Sequence, residues 1–92
     1  MAKISKGKLD LLNRTKKVIG QLESVLRALD ADEPCAEALQ RLAAARGAIN
    51  GLMGELMEDH IRNHVVNPDA DIDPERARGA ADLIEVIRTY LK

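Results

Sequence analysis

Apolar residues fall along the chain in three helical stretches. Leu11, Leu12, Thr15, Val18, Ile19, Leu22, Val25, Leu26 and Leu29 recur at spacings of three and four, the period that lines one side of an α-helix. They predict a first helix over about residues 5–29. The linker Asp30-Ala31-Asp32-Glu33 leaves room only for a turn, so the next helix must fold back as an antiparallel hairpin. Leu42, Ile49, Leu52 and Leu56 mark one face of a second helix over about residues 34–66. Pro34 suits its first helical position, just after Asp32 and Glu33, and Asn67-Pro68 ends it. Residues 67–72 read as a loop. Asp73 is the cap of a third helix over about residues 74–91, with Pro74 at its first position and Glu75 in its first turn. Ala77, Ala80, Ala81, Leu83, Ile84, Val86, Ile87, Tyr90 and Leu91 make up its apolar set. No segment has the two-residue alternation of a strand. The expectation is an all-α protomer of three helices forming a single domain over residues 1–92.

The apolar set is Ala, Leu, Ile, Val and Met; there is no Trp or Phe and one Tyr in 92 residues. A core so small and so poor in bulky side chains is marginal in one copy, so self-association is expected. Nothing approaches the roughly 18 apolar residues of a membrane span, and MAKISKGK lacks the apolar run of a signal peptide. One cysteine allows no internal disulfide. These features suggest a reduced, cytoplasmic protein with no membrane partner.

The net charge of −1 hides an asymmetry. Residues 1–20 hold Lys3, Lys6, Lys8, Arg14, Lys16 and Lys17 against Asp10 alone, a net +5, whereas residues 21–54 come to −2 and residues 55–92 to −4. Arg14, Lys16 and Lys17 project away from the apolar stripe of helix one, and a basic surface of this kind suits a polyanion; a merely solvated helix face is the competing reading. There is no helix-turn-helix pattern, so any DNA contact would use the flat side of a helical bundle. The near absence of aromatics argues against stacking on single strands or RNA.

Helix two carries the candidate chemistry. His60 and His64 are four residues apart, so their rings share a face and can grip one metal ion. Cys35 lies at the other end, about 37 Å away at roughly 1.5 Å per residue, too far to join them within one straight helix. Two antiparallel copies of the helix would bring Cys35 of one to residues 60–64 of the other, giving two equivalent sites in a two-fold dimer. The crossing would fall near residues 47–50, where Ala44, Ala45, Gly47, Ala48 and Gly51 would let backbones approach, with Asn50 beside them. Spacing alone also admits a bland reading: a small packed cysteine and a histidine pair complementing the helix dipole.

NRTKKVIGQLESV in helix one, Cys35 at the start of helix two, LAAARGAINGLMGELMEDHI through its middle and the ending IEVIRTYLK together resemble the CsoR/RcnR/FrmR family of small helical bacterial repressors. The resemblance covers nearly the whole chain. It implies an antiparallel four-helix-bundle dimer that pairs into a tetramer, and a repressor that holds double-stranded operator DNA until its effector binds. It implies Cys35, His60 and His64 as the sensing positions, with Arg14, Lys17 and Arg46, and Lys16 beside them, on the DNA-contact surface. Copper-sensing members resemble a Cys-His-Cys pattern, whereas the third position here is His64. Nickel/cobalt members resemble Cys-His-His with a further N-terminal histidine, where this chain has Lys3. Formaldehyde-sensing members pair the cysteine with a proline after the initiator Met, where this chain has Ala2.

One thiolate and two imidazoles suit nickel, cobalt, copper and zinc alike; the resemblance at His64 to the nickel/cobalt pattern implies Ni(II) or Co(II), with Zn(II) and Cu(I) as further candidates. Removal of Met1 would expose the Ala2 α-amine, with a pKa of about 8, either as a further ligand or as an amine that condenses with formaldehyde. The alternatives are therefore a formaldehyde-responsive repressor using Cys35 and Ala2, and a helical interaction module with no effector. An enzyme is not expected: no orienting set accompanies Cys35, and neither HExxH nor a phosphate loop occurs.

Overall fold

The computed structural model describes residues 7–91; Ala2, Lys3 and the expected first turn from residue 5 lie outside them. Three helices follow in order: α1 (Lys8–Asp30), α2 (Cys35–His64) and α3 (Pro74–Tyr90). Among the described residues there is no strand.

Helix α1 starts after Gly7, whose φ of 74° is a left-handed conformation that glycine adopts without penalty. The chain reverses at Ala31–Pro34. Asp32 enters the left-handed region (φ 54°), and the amides of Asp32 and Glu33 donate to the carbonyls of Leu29 and Ala28 at 3.2 and 3.0 Å. Pro34 is the N-cap of α2 rather than its first helical residue: its ψ of 142° is extended, and the helix begins at Cys35. A residue whose side chain cannot cap still fits here because the amides of Glu37 and Ala38 both donate to its carbonyl. The loop to α3 is knitted by side chains. Asn67 Oδ1 accepts from the Asp69 amide at 2.9 Å and Asp71 Oδ1 from the Asp73 amide at 2.8 Å. Asp73 Oδ1 then caps α3, accepting from the amides of Glu75 (3.0 Å) and Arg76 (3.4 Å).

The core is thin and lies in two seams. Leu11, Val18 and Ala28 of α1 bury against α2, which contributes Ala45. Ile61 of α2 meets Ile84 and Ile87 of α3, with Leu91 packed alongside. Gly54 makes room there: a Cβ at that position would lie 3.5 Å from Leu91 Cβ and 3.7 Å from Ile87 Cγ2. Helix α3 packs on α2 and not on α1, and the Glu58 carboxylate fastens it by accepting from Arg88 Nε and Nη2 at 2.9 and 2.8 Å. Arg88, with help from Arg62, holds the Glu58 carboxyl below its ordinary value despite partial burial.

Much of the expected apolar stripe remains open in one copy. Leu26 and Leu29 of α1 are 68% and 62% exposed, and Leu42, Ile49, Met53, Leu56 and Met57 form an exposed face of α2. The radius of gyration is 17.1 Å, against about 12 Å for a compact chain of this length. One protomer leaves covered only part of the apolar surface its sequence was patterned to bury.

Candidate effector site and nucleic-acid face

Because α2 runs unbroken for 30 residues, it presents its possible ligands at opposite ends. Cys35 is the first residue of the helix, with a free and exposed thiol. His60 and His64 occupy the last two turns, both exposed, with ring centroids 5.2 Å apart and planes tilted by 47°. With a metal–nitrogen bond of about 2.1 Å, two rings on one ion at a tetrahedral angle have centroids about 5.2 Å apart, and at a right angle about 4.5 Å. The centroid spacing therefore matches that of two rings on a single ion. Among the described residues no three His, Cys, Asp or Glu side chains of one protomer gather into a metal-holding group.

His60 also rims a nearly apolar hollow of about 270 Å³ lined by Met53, Leu56, Met57 and Ile61. Arg46, Met53, Met57, His60 and His64 follow one another at helical spacings, so the histidines belong to the open apolar face of α2.

The basic residues do not form one patch. Arg14 Nε donates to Asp10 Oδ2 at 3.1 Å, and Arg14 Nη2 lies 3.5 Å from Glu55 Oε1 on α2. Arg14 and Lys17 line a groove of about 300 Å³ with Asp10, Gly47, Ala48 and Gly51. Lys16 is exposed but lies two residues from Arg14, round the helix from the groove, and Arg46 sits on the histidine side of α2. Within the protomer, Arg14 and Lys17 are thus brought together and Lys16 and Arg46 are not.

Within the protomer, Gly47 and Gly51, the residues expected at a crossing between copies, border a groove against α1. Both face the Arg14–Lys17 groove, and a Cβ on Gly51 would lie 3.7 Å from Arg14 Nη1. The small residues clear space for a guanidinium and a groove, on the opposite side of α2 from Ile49, Met53 and His60. Glu55, the partner of Arg14, was not singled out from sequence; the pair spans two helices and leaves no local pattern.

The defining sequence pattern of one family, described as metal-sensitive transcriptional repressor, matches residues 7–89. The chain belongs to this family. Members are non-enzymatic regulators of transcription, and the repressor described here shares their CsoR/RcnR-type architecture. It is 36% identical to the transcriptional repressor RcnR of Salmonella paratyphi B over the whole of both chains. It is 40% identical to an uncharacterised protein from the bioA 5′ region of Serratia marcescens, over 89% of each chain. In three dimensions it is similar to a variant of the formaldehyde-responsive regulator FrmR from Salmonella enterica serovar Typhimurium, with a TM-score of 0.65, 37% identity, and 92% and 94% of the two chains covered. Among the described residues no helix is long and apolar enough to cross a membrane.

Proposed function

We propose that this repressor leaves its operator DNA when a transition metal ion, Ni(II) or Co(II), is captured between two copies of the chain. The observation that carries the reading is the pairing of His60 and His64 at single-ion spacing with a free thiol stranded at the far end of the same unbroken helix. Cys35 of one copy and His60 and His64 of its partner would hold the ion, in an antiparallel dimer that pairs into a tetramer. The ion supplies a bond between copies that neither copy makes alone, from one thiolate and two imidazoles, a donor set suited to nickel, cobalt and zinc.

The chain's own residues then do the coupling. Fixing Cys35 fixes the turn after α1, and α1 carries Arg14 and Lys17. On α2, Glu55 lies one turn before the histidines, on the opposite face, and holds Arg14. A shift of α1 against α2 alters how Arg14 and Lys17 meet phosphates, and a coupling of only about 1–3 kcal/mol gives a roughly 5–150-fold change in affinity. DNA affinity would come mainly from phosphate contacts with Arg14, Lys17, Lys16 and Arg46, so it should fall steeply with salt.

A second reading keeps the repressor and changes the effector: formaldehyde joining Cys35 to the Ala2 amine. Similarity to the formaldehyde-responsive regulator favours weighing it. The deciding experiment is a gel shift on the DNA upstream of the gene, with Ni(II), Co(II), Zn(II), Cu(I) and formaldehyde side by side. Release by Ni(II) or Co(II) that is lost in Cys35→Ala supports the metal reading; release by formaldehyde alone replaces it.

A further inference from the structure

One side chain ties both flanks of the turn that presents Cys35 to α1. Arg41, half-buried on α2, reaches partners in three parts of the chain. Its Nη1 donates to Ser24 Oγ of α1 at 2.7 Å. Its Nη2 lies 3.1 Å from Glu33 Oε1 in the linker and 3.7 Å from Glu37 Oε1 in the first turn of α2. Glu33 and Glu37 flank Cys35, two residues before and two after it. The N-cap Pro34 makes no side-chain cap, and the backbone bonds of Asp32 and Glu33 tie the linker to α1 alone. Among the described residues, Arg41 is the one side chain that joins both flanks of Cys35 to α1.

Two buried atoms near this contact are unpaired: Arg41 Nε, a donor, and Gln21 Oε1, an acceptor. Gln21 precedes Ser24 by three residues and shares its face of α1.

We propose that Arg41 is a positioning residue for the effector site, setting where Cys35 is offered to the partner's histidines. The proposal rests on the reading of Cys35 as a sensor ligand. A ligand at the first residue of a helix lies where helices fray, and ordering it on binding costs entropy. A planar guanidinium with several fixed donors removes that freedom in advance, which a single ammonium cannot do. Outer partners of this kind typically alter metal affinity by about 10–100-fold.

The test is a Co(II) titration of the full chain, followed by thiolate-to-Co(II) charge-transfer absorption, for wild type, Arg41→Ala, Arg41→Lys and Cys35→Ala. Arg41→Ala is expected to bind Co(II) at least about tenfold more weakly and to give less charge-transfer intensity per bound ion at saturation. Arg41→Lys should recover part of both. A residue that only stabilised the fold would lower the melting temperature and leave the saturated spectrum intact; an intact spectrum overturns the proposal. If Arg41→Ala does not fold, the double variant Ser24→Ala, Glu33→Gln removes two partners and keeps the guanidinium, and the same readouts apply. A wild-type spectrum indistinguishable from that of Cys35→Ala would instead overturn the sensor reading itself, and the proposal with it.

Discussion

Subunit complementation puts the inter-copy site at most risk. Cys35 and His60 are 25 residues apart on one unbroken helix, about 37 Å at 1.5 Å per residue. Two side chains and their metal bonds together span only about 10 Å. One copy therefore cannot close the site, and the perturbation is to split its halves between two chains. Cys35→Ala keeps the histidines; the double variant His60→Ala, His64→Ala keeps the thiol. Each alone should lack the thiolate-to-Co(II) band of the full donor set. When the two are refolded together in equal amounts, about half of the dimers pair unlike chains. Each such dimer has one site with a thiol and both imidazoles, and one with neither. The mixture should recover about one quarter of the wild-type band intensity per chain. Co(II) titration of the mixture, with each parent as control, reads this directly. A refolded mixture no brighter than the sum of its parents would refute the reasoning, because a site closed within one chain cannot be rescued in trans.

Other expectations follow from the contacts. Arg14→Ala should weaken DNA binding and lower the slope of log affinity against log salt by about 1, measured by fluorescence anisotropy at several salt concentrations; an unchanged slope would remove Arg14 from the phosphate-contacting set. Arg88→Ala should lower the melting temperature, because it removes the two-point contact that fastens α3 to Glu58. Because the Glu58 carboxyl is held low in the folded chain chiefly by Arg88, this contribution is fully present above the unfolded carboxyl pKa of about 4.3. It is lost as pH falls through the lower folded value, so the melting curves of Arg88→Ala and wild type should converge on the acid side. Gly54→Ala should stabilise by about 1 kcal/mol from helix propensity, because the new Cβ meets Leu91 and Ile87 at ordinary contact distance; thermal melts should rise by about 4–8 °C. Gly54→Leu has no such space and should lower the melt.

The readable features were the local ones. Three helices and the hairpin between the first two could be drawn from the spacing of Leu11, Val18 and Leu22 and from a four-residue linker. The Asp73-Pro74-Glu75 cap is a nearest-neighbour device, and a histidine pair four residues apart must share a face. Pro34 was one step off because its missing amide suits the N-cap as well as the first helical position; which it takes depends on the turn at Asp32.

Period and helix length alone therefore established the three-helix chain, the shared face of His60 and His64, and the distance that keeps Cys35 from them. Packing decided the rest. Which side of α2 meets α1 is a register set by Leu11, Val18 and Ala45, and no short pattern encodes it. That register puts Gly47 and Gly51 under Arg14 and Lys17, pairs Arg14 with Glu55, sends Lys16 and Arg46 elsewhere, and folds Arg41 around the turn that carries the thiol. A helix wheel shows which residues share a face; only contact with a second helix shows what that face is for.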